Sequence, residues 1–229
     1  MLLINIIYQW FSVEPESLNI SKMKILILGQ GGREHAIAWK LSRSEVVSNV
    51  YVCPGNAGTF HEDKVTNVDI NLDQQKKIID FVKSNQVDLT IVGPEAPLVD
   101  GIVNKFRDNG LKIFGPSREF AELEGSKVFS KNFMFRNDIP TANYREFDNL
   151  EEAMNYLNKI KFPSVIKADG LAAGKGVMIC NTEEEAIKAI KKIFSSDHSQ
   201  KLIMEDFLVG QELSAIYVCN FNGPSFETS

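Results

Sequence analysis

The sequence has few of the features that mark several large classes of protein. Its cysteines, Cys53, Cys180 and Cys219, lie far apart and outside any C-x-x-C pattern. This excludes a dense disulfide framework and a cysteine zinc site, and it favours buried thiols in a reducing compartment. The histidines have no metal-ligand spacing, and a formal net charge of −5 gives no basic excess for nucleic acid. We therefore expect a cytoplasmic protein that binds no nucleic acid.

Residues 1–22 also lack what a targeting segment needs. The run MLLINIIYQWF is apolar, but it is shorter than the roughly 20 residues that span a bilayer. It has neither a basic start nor a small-residue cleavage site. We interpret residues 1–22 as a loose extension or a misassigned start before Met23, with a membrane or partner anchor as the alternative. We expect no membrane partner.

From Met23 onward the sequence contains alternating strand-like and helix-like segments. This order is typical of a doubly wound parallel sheet, which we expect as an N-terminal domain over residues 23–122. The loops GQGGREH, PGNAG, GPEAP and GPS follow successive strands, and such loops meet at the ligand-binding edge of the sheet. The predicted strands are 24–28, 50–52, 89–92 and 112–114. Helices are predicted over 74–83, 98–106 and 118–137.

A second pattern begins after Pro140. A predicted helix over 149–160 precedes a strand at 165–168, a glycine-rich loop and a strand at 177–180, so the loop is expected to form the tip of a β-hairpin. Further strands are predicted at 202–205 and 213–219.

The loop GQGGREH, residues 29–35, invites a dinucleotide-binding interpretation. The G-x-G-x-x-G fingerprint requires glycine where this chain has Glu34, and the second strand ends in Pro54-Gly55 without an acidic residue. A glutamate at the helix entrance would repel a pyrophosphate, so NAD binding is disfavoured. The N–H groups of Gly31 and Gly32, beside Arg33, could still hold one phosphate monoester. The alternative for Arg33 is a surface charge.

The loop KADGLAAGKGV, residues 167–177, has the composition of a phosphate loop without the spacing of a P-loop. Three residues separate Gly170 from Gly174 where a P-loop has four, and Gly176 follows Lys175 where Ser or Thr would bind Mg²⁺. We predict a hairpin that folds over a triphosphate. Lys167 on the incoming strand and Lys175 on the tip would neutralise charge during phosphoryl transfer. An ordinary glycine-rich hairpin is the alternative.

The segment MEDFLVGQELS, residues 204–214, suits a hinge beside a nucleotide. Backbone groups near Phe207 and Leu208 would meet an adenine edge, and Glu212 could reach ribose hydroxyls. An acidic, solvated loop between strands is the alternative.

Six segments carry a family resemblance: ILGQGGREHAIAWKL, VCPGNAGT, DLTIVGPEAPLVDGI, KIFGPS, LEGSK and VIKADGLAAGKGV. Their order and spacing resemble those of the phosphoribosylamine–glycine ligase family of the ATP-grasp superfamily, from Met23 to about Leu213. The resemblance implies an α/β doubly wound domain followed by the first part of an ATP-grasp domain. We place that incomplete α+β domain at residues 123–229, with a nucleotide lid at about 145–212.

The resemblance also implies a reaction. ATP would phosphorylate the carboxylate of glycine, and 5-phosphoribosylamine would capture the glycyl phosphate to give glycinamide ribonucleotide, ADP and phosphate. The catalytic residues implied are Lys167 and Lys175. The ATP-binding residues implied are Lys127, Lys167, Asp169, Gly170, Gly174, Lys175, Gly176, Glu205, Phe207, Leu208 and Glu212. The residues implied to shape the phosphoribosylamine side are Gly31, Gly32, Arg33, Glu34, Asn56, Gly58 and Glu95.

The sequence departs from the family pattern at its end. The family continues with a Gln-Asp-His-Lys-Arg segment, a Gly-Gly-Met-Gly stretch, and later a glutamate and an asparagine that ligate Mg²⁺, whereas this chain stops at PSFETS. We therefore expect Mg²⁺ to be needed but its ligands to be absent from this chain, which would be an N-terminal piece, inactive alone. The alternative is a non-catalytic nucleotide-binding or interaction subunit completed by a separate C-terminal half.

Overall fold

The computed structural model describes residues 22–171, 176–196, 201–213, 219–220 and 223–224. They belong to two compact units, one of Lys22–Leu208 and one that contains the described residues from Val209 onward.

The unit Lys22–Leu208 begins with a parallel sheet. Its strands are β1 (Met23–Gly29), β2 (Val47–Pro54), β3 (Val65–Asn67), β4 (Leu89–Val92) and β5 (Ile113–Phe114). Their order is β3-β2-β1-β4-β5. Residues 25–28 of the central strand β1 are completely buried, as expected for a strand covered on both faces. The order reverses between β1 and β4, so the loops after these strands flank the ligand crevice of a doubly wound sheet. The predicted fold is confirmed.

Helices separate these strands and build the core. The described ones are α1 (Gly32–Ser42), α2 (Ala57–Phe60), α3 (Gln75–Asn85), α4 (Glu95–Val99), α5 (Ile102–Asp108) and α6 (Arg118–Gly125). Ile78 of α3 and Phe106 of α5 pack with Leu26 and Leu28 of β1. The prediction of one helix over 98–106 is wrong, because Gly101 has a φ of 77°, which a right-handed helix does not contain.

A second helix break separates α6 from α7 (Lys127–Arg136). Ser126 between them is extended, with φ −134° and ψ 119°, and its hydroxyl accepts a hydrogen bond from the N–H of Phe129. The prediction of one helix over 118–137 is wrong because this N-cap competes with helix continuation. Lys127 consequently occupies the first position of a new helix.

After α7 the chain forms a four-stranded antiparallel sheet of β6 (Tyr144–Phe147), β7 (Ser164–Ala168), β8 (Val177–Cys180) and β9 (Leu202–Asp206). Their order is β6-β9-β7-β8. One face packs on α8 (Leu150–Tyr156) and α9 (Glu183–Ser196) and buries Ile166 and Leu202 completely. Because side chains alternate along a strand, Lys167 and Glu205 lie on the opposite face. The predicted β7–β8 hairpin is confirmed, and residues 172–175 of its tip lie outside the described residues.

The described residues from Val209 onward include an antiparallel pair, β10 (Cys219–Asn220) and β11 (Gly223–Pro224). The strand predicted over 213–219 falls mainly on residues outside the described ones, as do residues 1–21 of the predicted extension. None of the helices in the described part of the chain combines the length and apolar character that a membrane span requires.

Candidate functional site

A cavity of about 480 Å³ lies between helices α6 and α7, the β7–β8 hairpin and β9. This volume is in the range of pockets that hold small ligands. Lys127, Lys131 and Lys167 line it from two different elements, α7 and β7. The other lining residues are Glu95, Leu123, Glu124, Ser130, Met134, Gly170, Leu171, Gly176, Val177 and Glu205.

The carboxylate of Glu205, one of three glutamates in this lining, contacts two of its three lysines. Its Oε2 accepts a hydrogen bond of 2.9 Å from Lys167 Nζ and lies 3.2 Å from Lys131 Nζ. The Glu205 side chain is only 6% exposed. Its Oε1 is buried and has no hydrogen-bond partner among the described residues. A buried acceptor without a partner is costly, so this oxygen is suited to a donor on a bound ligand.

Lys131 is a charged cavity residue that sequence reasoning missed. Its side chain is 8% exposed. Its ammonium donates to Thr141 Oγ1 at 2.6 Å and to the carbonyl of Ala142 at 3.3 Å. The available signal was its spacing, because residues four apart on a helix share a face and Lys131 follows Lys127 by that interval in α7.

Lys127 contacts the stem of the glycine-rich hairpin. Its Nζ donates to the carbonyl of Gly170 at 2.7 Å. Burial lowers the pKa of Lys127 below its ordinary value; the charge of Lys167 lowers it further, and that of Asp169 opposes the shift. Burial disfavours the charged ammonium, so an anion bound in the cavity would stabilise the protonated form and raise the pKa again.

Asp169 holds the same stem against helix α7. Its carboxylate accepts from the hydroxyl of Ser126 at 3.0 Å and from the N–H of Val128 at 3.1 Å. These contacts satisfy groups at the N-terminus of α7, where the helix dipole favours a negative charge. Asp169, predicted to bind the nucleotide, therefore also positions the helix that carries Lys127 and Lys131.

A second group of predicted residues meets at the crevice of the first sheet. Glu34 is buried and accepts from the N–H of Gly31 at 2.7 Å and from Arg33 Nε at 3.2 Å. It thus occupies the N-terminus of α1, where a pyrophosphate would otherwise bind. Arg33 Nη2 lies 3.3 Å from Glu95 Oε1, and the hydrogen bond to Glu34 raises the pKa of the Arg33 guanidinium, as does Glu95. Arg33 therefore links the first turn of α1 to α4.

Asn56 joins the loops that follow β1 and β2. Its Nδ2 donates to the carbonyl of Gln30 at 2.8 Å, and its Oδ1 accepts from the N–H groups of Gly58 at 2.7 Å and Thr59 at 3.0 Å. At Gly58 a side chain would collide with the ring of His35. The structure therefore brings these predicted residues together as a loop framework. Gly32, at the start of α1, has open space around it.

Several predicted ATP-binding residues are placed differently or not at all. Gly174 and Lys175 lie outside the described residues, so their roles stay predictions. Phe207 is 36% exposed and Leu208 is 69% exposed, and both directly follow β9. Glu212 is exposed and belongs to the unit from Val209 onward.

Magnesium has no evident ligands in the described part of the chain. There, no group of three or more His, Cys, Asp or Glu side chains could hold a metal ion. The described residues therefore do not fit the Mg²⁺ that the resemblance implies, and none of them is assigned to it.

Two family models, each named for a domain of the same enzyme, match consecutive parts of this chain. A family model described as "Phosphoribosylglycinamide synthetase, N domain" matches residues 23–124, and one described as "Phosphoribosylglycinamide synthetase, ATP-grasp (A) domain" matches residues 125–226. The phosphoribosylamine–glycine ligase of Clostridium acetobutylicum is 52% identical over 201 residues, which are 86% of this chain and 48% of that protein.

Solved structures give the same result. The phosphoribosylamine–glycine ligase of Thermotoga maritima is 33% identical with a TM-score of 0.66, over 82% of this chain and 45% of that one. An ADP complex of N5-carboxyaminoimidazole ribonucleotide synthetase has a TM-score of 0.63, over 85% of this chain and 49% of that one. Because the two sequences are only 19% identical, this similarity shows a shared fold and nothing more. The chain spans less than half the length of these relatives. Since models of a single enzyme match it along residues 23–226, the chain belongs to the phosphoribosylamine–glycine ligase family.

Proposed function

We propose that this protein contributes the nucleotide-binding side of an ATP-dependent ligase that joins glycine to 5-phosphoribosylamine. The products are glycinamide ribonucleotide, ADP and phosphate, formed through glycyl phosphate in de novo purine synthesis. The observation that carries the proposal is the cavity that Lys127, Lys131 and Lys167 line beside the glycine-rich hairpin. The relatives named phosphoribosylamine–glycine ligase support the choice of substrates.

The lysines provide the electrostatic environment for a triphosphate. Lys127 and Lys167 come from α7 and β7 and line one cavity, so a phosphate chain between them could contact both ammonium groups. Charge-assisted hydrogen bonds of this kind are stronger than neutral ones. Lys175 and Gly174 would join them when the hairpin closes, with Gly170 and Gly176 at its two ends. Closure would also exclude water, which protects an acyl phosphate from hydrolysis.

The adenosine side is assigned to β9 and the segment after it. The buried Oε1 of Glu205 is an acceptor for an amino group such as that of adenine. The backbone of Phe207 and Leu208 would meet the edge of the base. Glu212 belongs to the unit from Val209 onward, and its contact with a ribose stays a prediction. Asp169 acts from the hairpin stem, through its hydrogen bonds with Ser126 and Val128 at the N-terminus of α7.

The phosphoribosylamine side is assigned to the loops of the first sheet. Arg33 keeps a side chain that is 61% exposed and would pair with the phosphate of the substrate, next to Glu95 and the N–H group of Gly32. The N–H of Gly31 donates to Glu34, so Gly31 would shape the loop beside the phosphate. Glu34 and Asn56, whose polar groups contact neighbouring loops, would shape the site together with Gly58. Residues 23–122 would thus bind the amine and residues 123–229 the nucleotide, with a lid at about 145–212.

The chemistry needs two displacements. An oxygen of the glycine carboxylate attacks the γ-phosphorus and ADP leaves; the amine of phosphoribosylamine then attacks the carbonyl carbon and phosphate leaves. Lys167 and Lys175 are the proposed catalytic groups, because they would stabilise charge on the transferring phosphoryl group. No step is assigned to Mg²⁺, whose ligands the described residues do not provide.

We also propose a cytoplasmic location. The thiols of Cys53 and Cys180 are free and buried. Burial raises the pKa of the Cys53 thiol to about 11, although the backbone hydrogen bond with Ile70 opposes this shift. The unreactive thiol form therefore dominates at neutral pH. Buried, unpaired thiols suit a reducing compartment.

The test is ADP release with ATP, Mg²⁺, glycine and phosphoribosylamine. We expect the 229-residue chain to bind ATP but not to turn over alone, and to give glycine-dependent turnover when the C-terminal half of the C. acetobutylicum relative is added. Turnover by the chain alone would contradict the expectation that the Mg²⁺ ligands are absent from this chain. ATP binding without turnover in either sample would favour the non-catalytic subunit.

A further inference from the structure

Two lysines share one oxygen of a buried carboxylate in the cavity. Lys167 Nζ and Lys131 Nζ lie 2.9 Å and 3.2 Å from Glu205 Oε2. One negative charge thus faces two positive charges at a site where little solvent is present to screen them. Such an arrangement leaves one ammonium group available for a second anion.

The two lysines differ in how firmly they are held. Lys131 is buried and also donates to Thr141 Oγ1 and to the carbonyl of Ala142. The Lys167 side chain is 24% exposed, and among the described residues its ammonium has Glu205 as its hydrogen-bond partner. Lys131 is therefore the fixed member of the pair, and Lys167 is the member that can turn toward a ligand.

We propose that Lys131 is a positioning residue, the permanent counter-ion of Glu205 that frees Lys167 to contact the phosphates of a bound nucleotide. A buried carboxylate left without a partner is strongly unfavourable. Without Lys131, Lys167 would be the sole counter-ion of Glu205 among these two lysines. The ion pair would then hold the Lys167 ammonium at Glu205 and weaken its contact with the phosphates of the nucleotide. The inference rests on the proposed nucleotide site and adds a residue to it.

The test compares ATP with adenosine, which lacks the phosphates. Both are titrated into the ¹⁵N-labelled 229-residue chain, and dissociation constants are taken from amide chemical shifts. For Lys131→Met we expect the affinity for ATP to fall by about tenfold, the equivalent of one lost charge contact, and the affinity for adenosine to change by less than about twofold. The double variant Lys131→Met/Glu205→Gln should regain most of the ATP affinity, because Lys167 is then no longer held by a carboxylate.

Lys64→Met is the matched control, since Lys64 donates to the carbonyls of Ser44 and Val47 near the first sheet. It should leave both affinities unchanged. Lys131→Gln is the second variant if Lys131→Met does not fold. Unchanged ATP affinity in a folded Lys131 variant would overturn the inference, as would equal losses for ATP and adenosine. If the wild-type chain bound no ATP, the proposed function itself would be contradicted.

Discussion

Ser126 and Asp169 are joined by a hydrogen bond of 3.0 Å from Oγ to Oδ2, although 43 positions separate them in the chain. The same carboxylate accepts the N–H of Val128 at 3.1 Å. The stem of the glycine-rich hairpin is thereby attached to the first turn of α7. Lys127 and Lys131 are carried by that helix, so their placement beside Lys167 depends on this contact.

Asp169→Ala should separate the hairpin stem from α7. We expect the free energy of unfolding to fall by about 1–2 kcal/mol, the usual cost of a lost helix cap, and ATP affinity to fall as well. Urea unfolding and calorimetric titration with ATP measure the two effects. Asn149→Ala is the control, because Asn149 caps α8 by accepting the N–H of Glu152 at 2.9 Å. It should lower stability similarly and leave ATP affinity unchanged; the same loss of affinity in both variants would refute a specific role for Asp169.

Gly93→Ala should destabilise the crevice of the first sheet. A methyl group there would collide with the carboxylate of Glu34, which is itself held by Gly31 and Arg33. We expect a loss of about 1–3 kcal/mol in the free energy of unfolding, typical of overpacking. Gly32→Ala is the control, since nothing lies within 4 Å of the added atom, and it should change stability by less than about 0.5 kcal/mol. Equal effects of the two substitutions would argue against the packing role of Glu34.

The lowered pKa of Lys127 predicts opposite pH dependences for stability and for ATP binding. Between that lowered pKa and the ordinary value of 10.5, the unfolded chain binds more protons than the folded chain, so the contribution of Lys127 to stability rises with pH. ATP needs the protonated lysine, so the affinity for ATP should fall over the same window. Stability and ATP affinity measured upward from about pH 8, where phosphates are fully ionised, would show both trends.

Lys127→Met provides the reference for the pH experiment. This substitution removes the titrating group. The difference in ATP affinity between wild type and variant should therefore disappear at the most alkaline pH values, where Lys127 of the wild type is deprotonated. A pH dependence identical in wild type and Lys127→Met would show that another group is responsible.

The regular elements could be predicted because their signals are local. The apolar run in β1 and the hairpin residues 165–168 and 177–180 fix strands by composition and spacing alone. Strand β3 was not predicted, since three partly exposed residues, Val65–Asn67, carry too little pattern. The breaks at Gly101 and Ser126 were missed, because helical periodicity continues across both.

The chemistry-bearing contacts could be predicted only in part. The motif KADGLAAGKGV identified Lys167 and Asp169, but their partners Glu205 and Ser126 are 38 and 43 positions away in sequence. Sequence spacing alone does not show that Lys131 is the lysine of α7 that becomes buried. Tertiary packing decides how deeply each of the two ammonium groups is buried, and no local pattern encodes it.

The central claim is that the cavity beside the glycine-rich hairpin binds ATP through Lys127 and Lys167. Calorimetric titration of the 229-residue chain with ATP tests it most directly, with Lys127→Met, Lys167→Met and the control Lys64→Met measured in parallel. The account predicts binding by wild type and Lys64→Met, and an affinity lower by about tenfold or more in each of the other two variants, the equivalent of one lost charge-assisted contact. Folded wild-type protein that binds no ATP, or equal affinities in all four proteins, would contradict it.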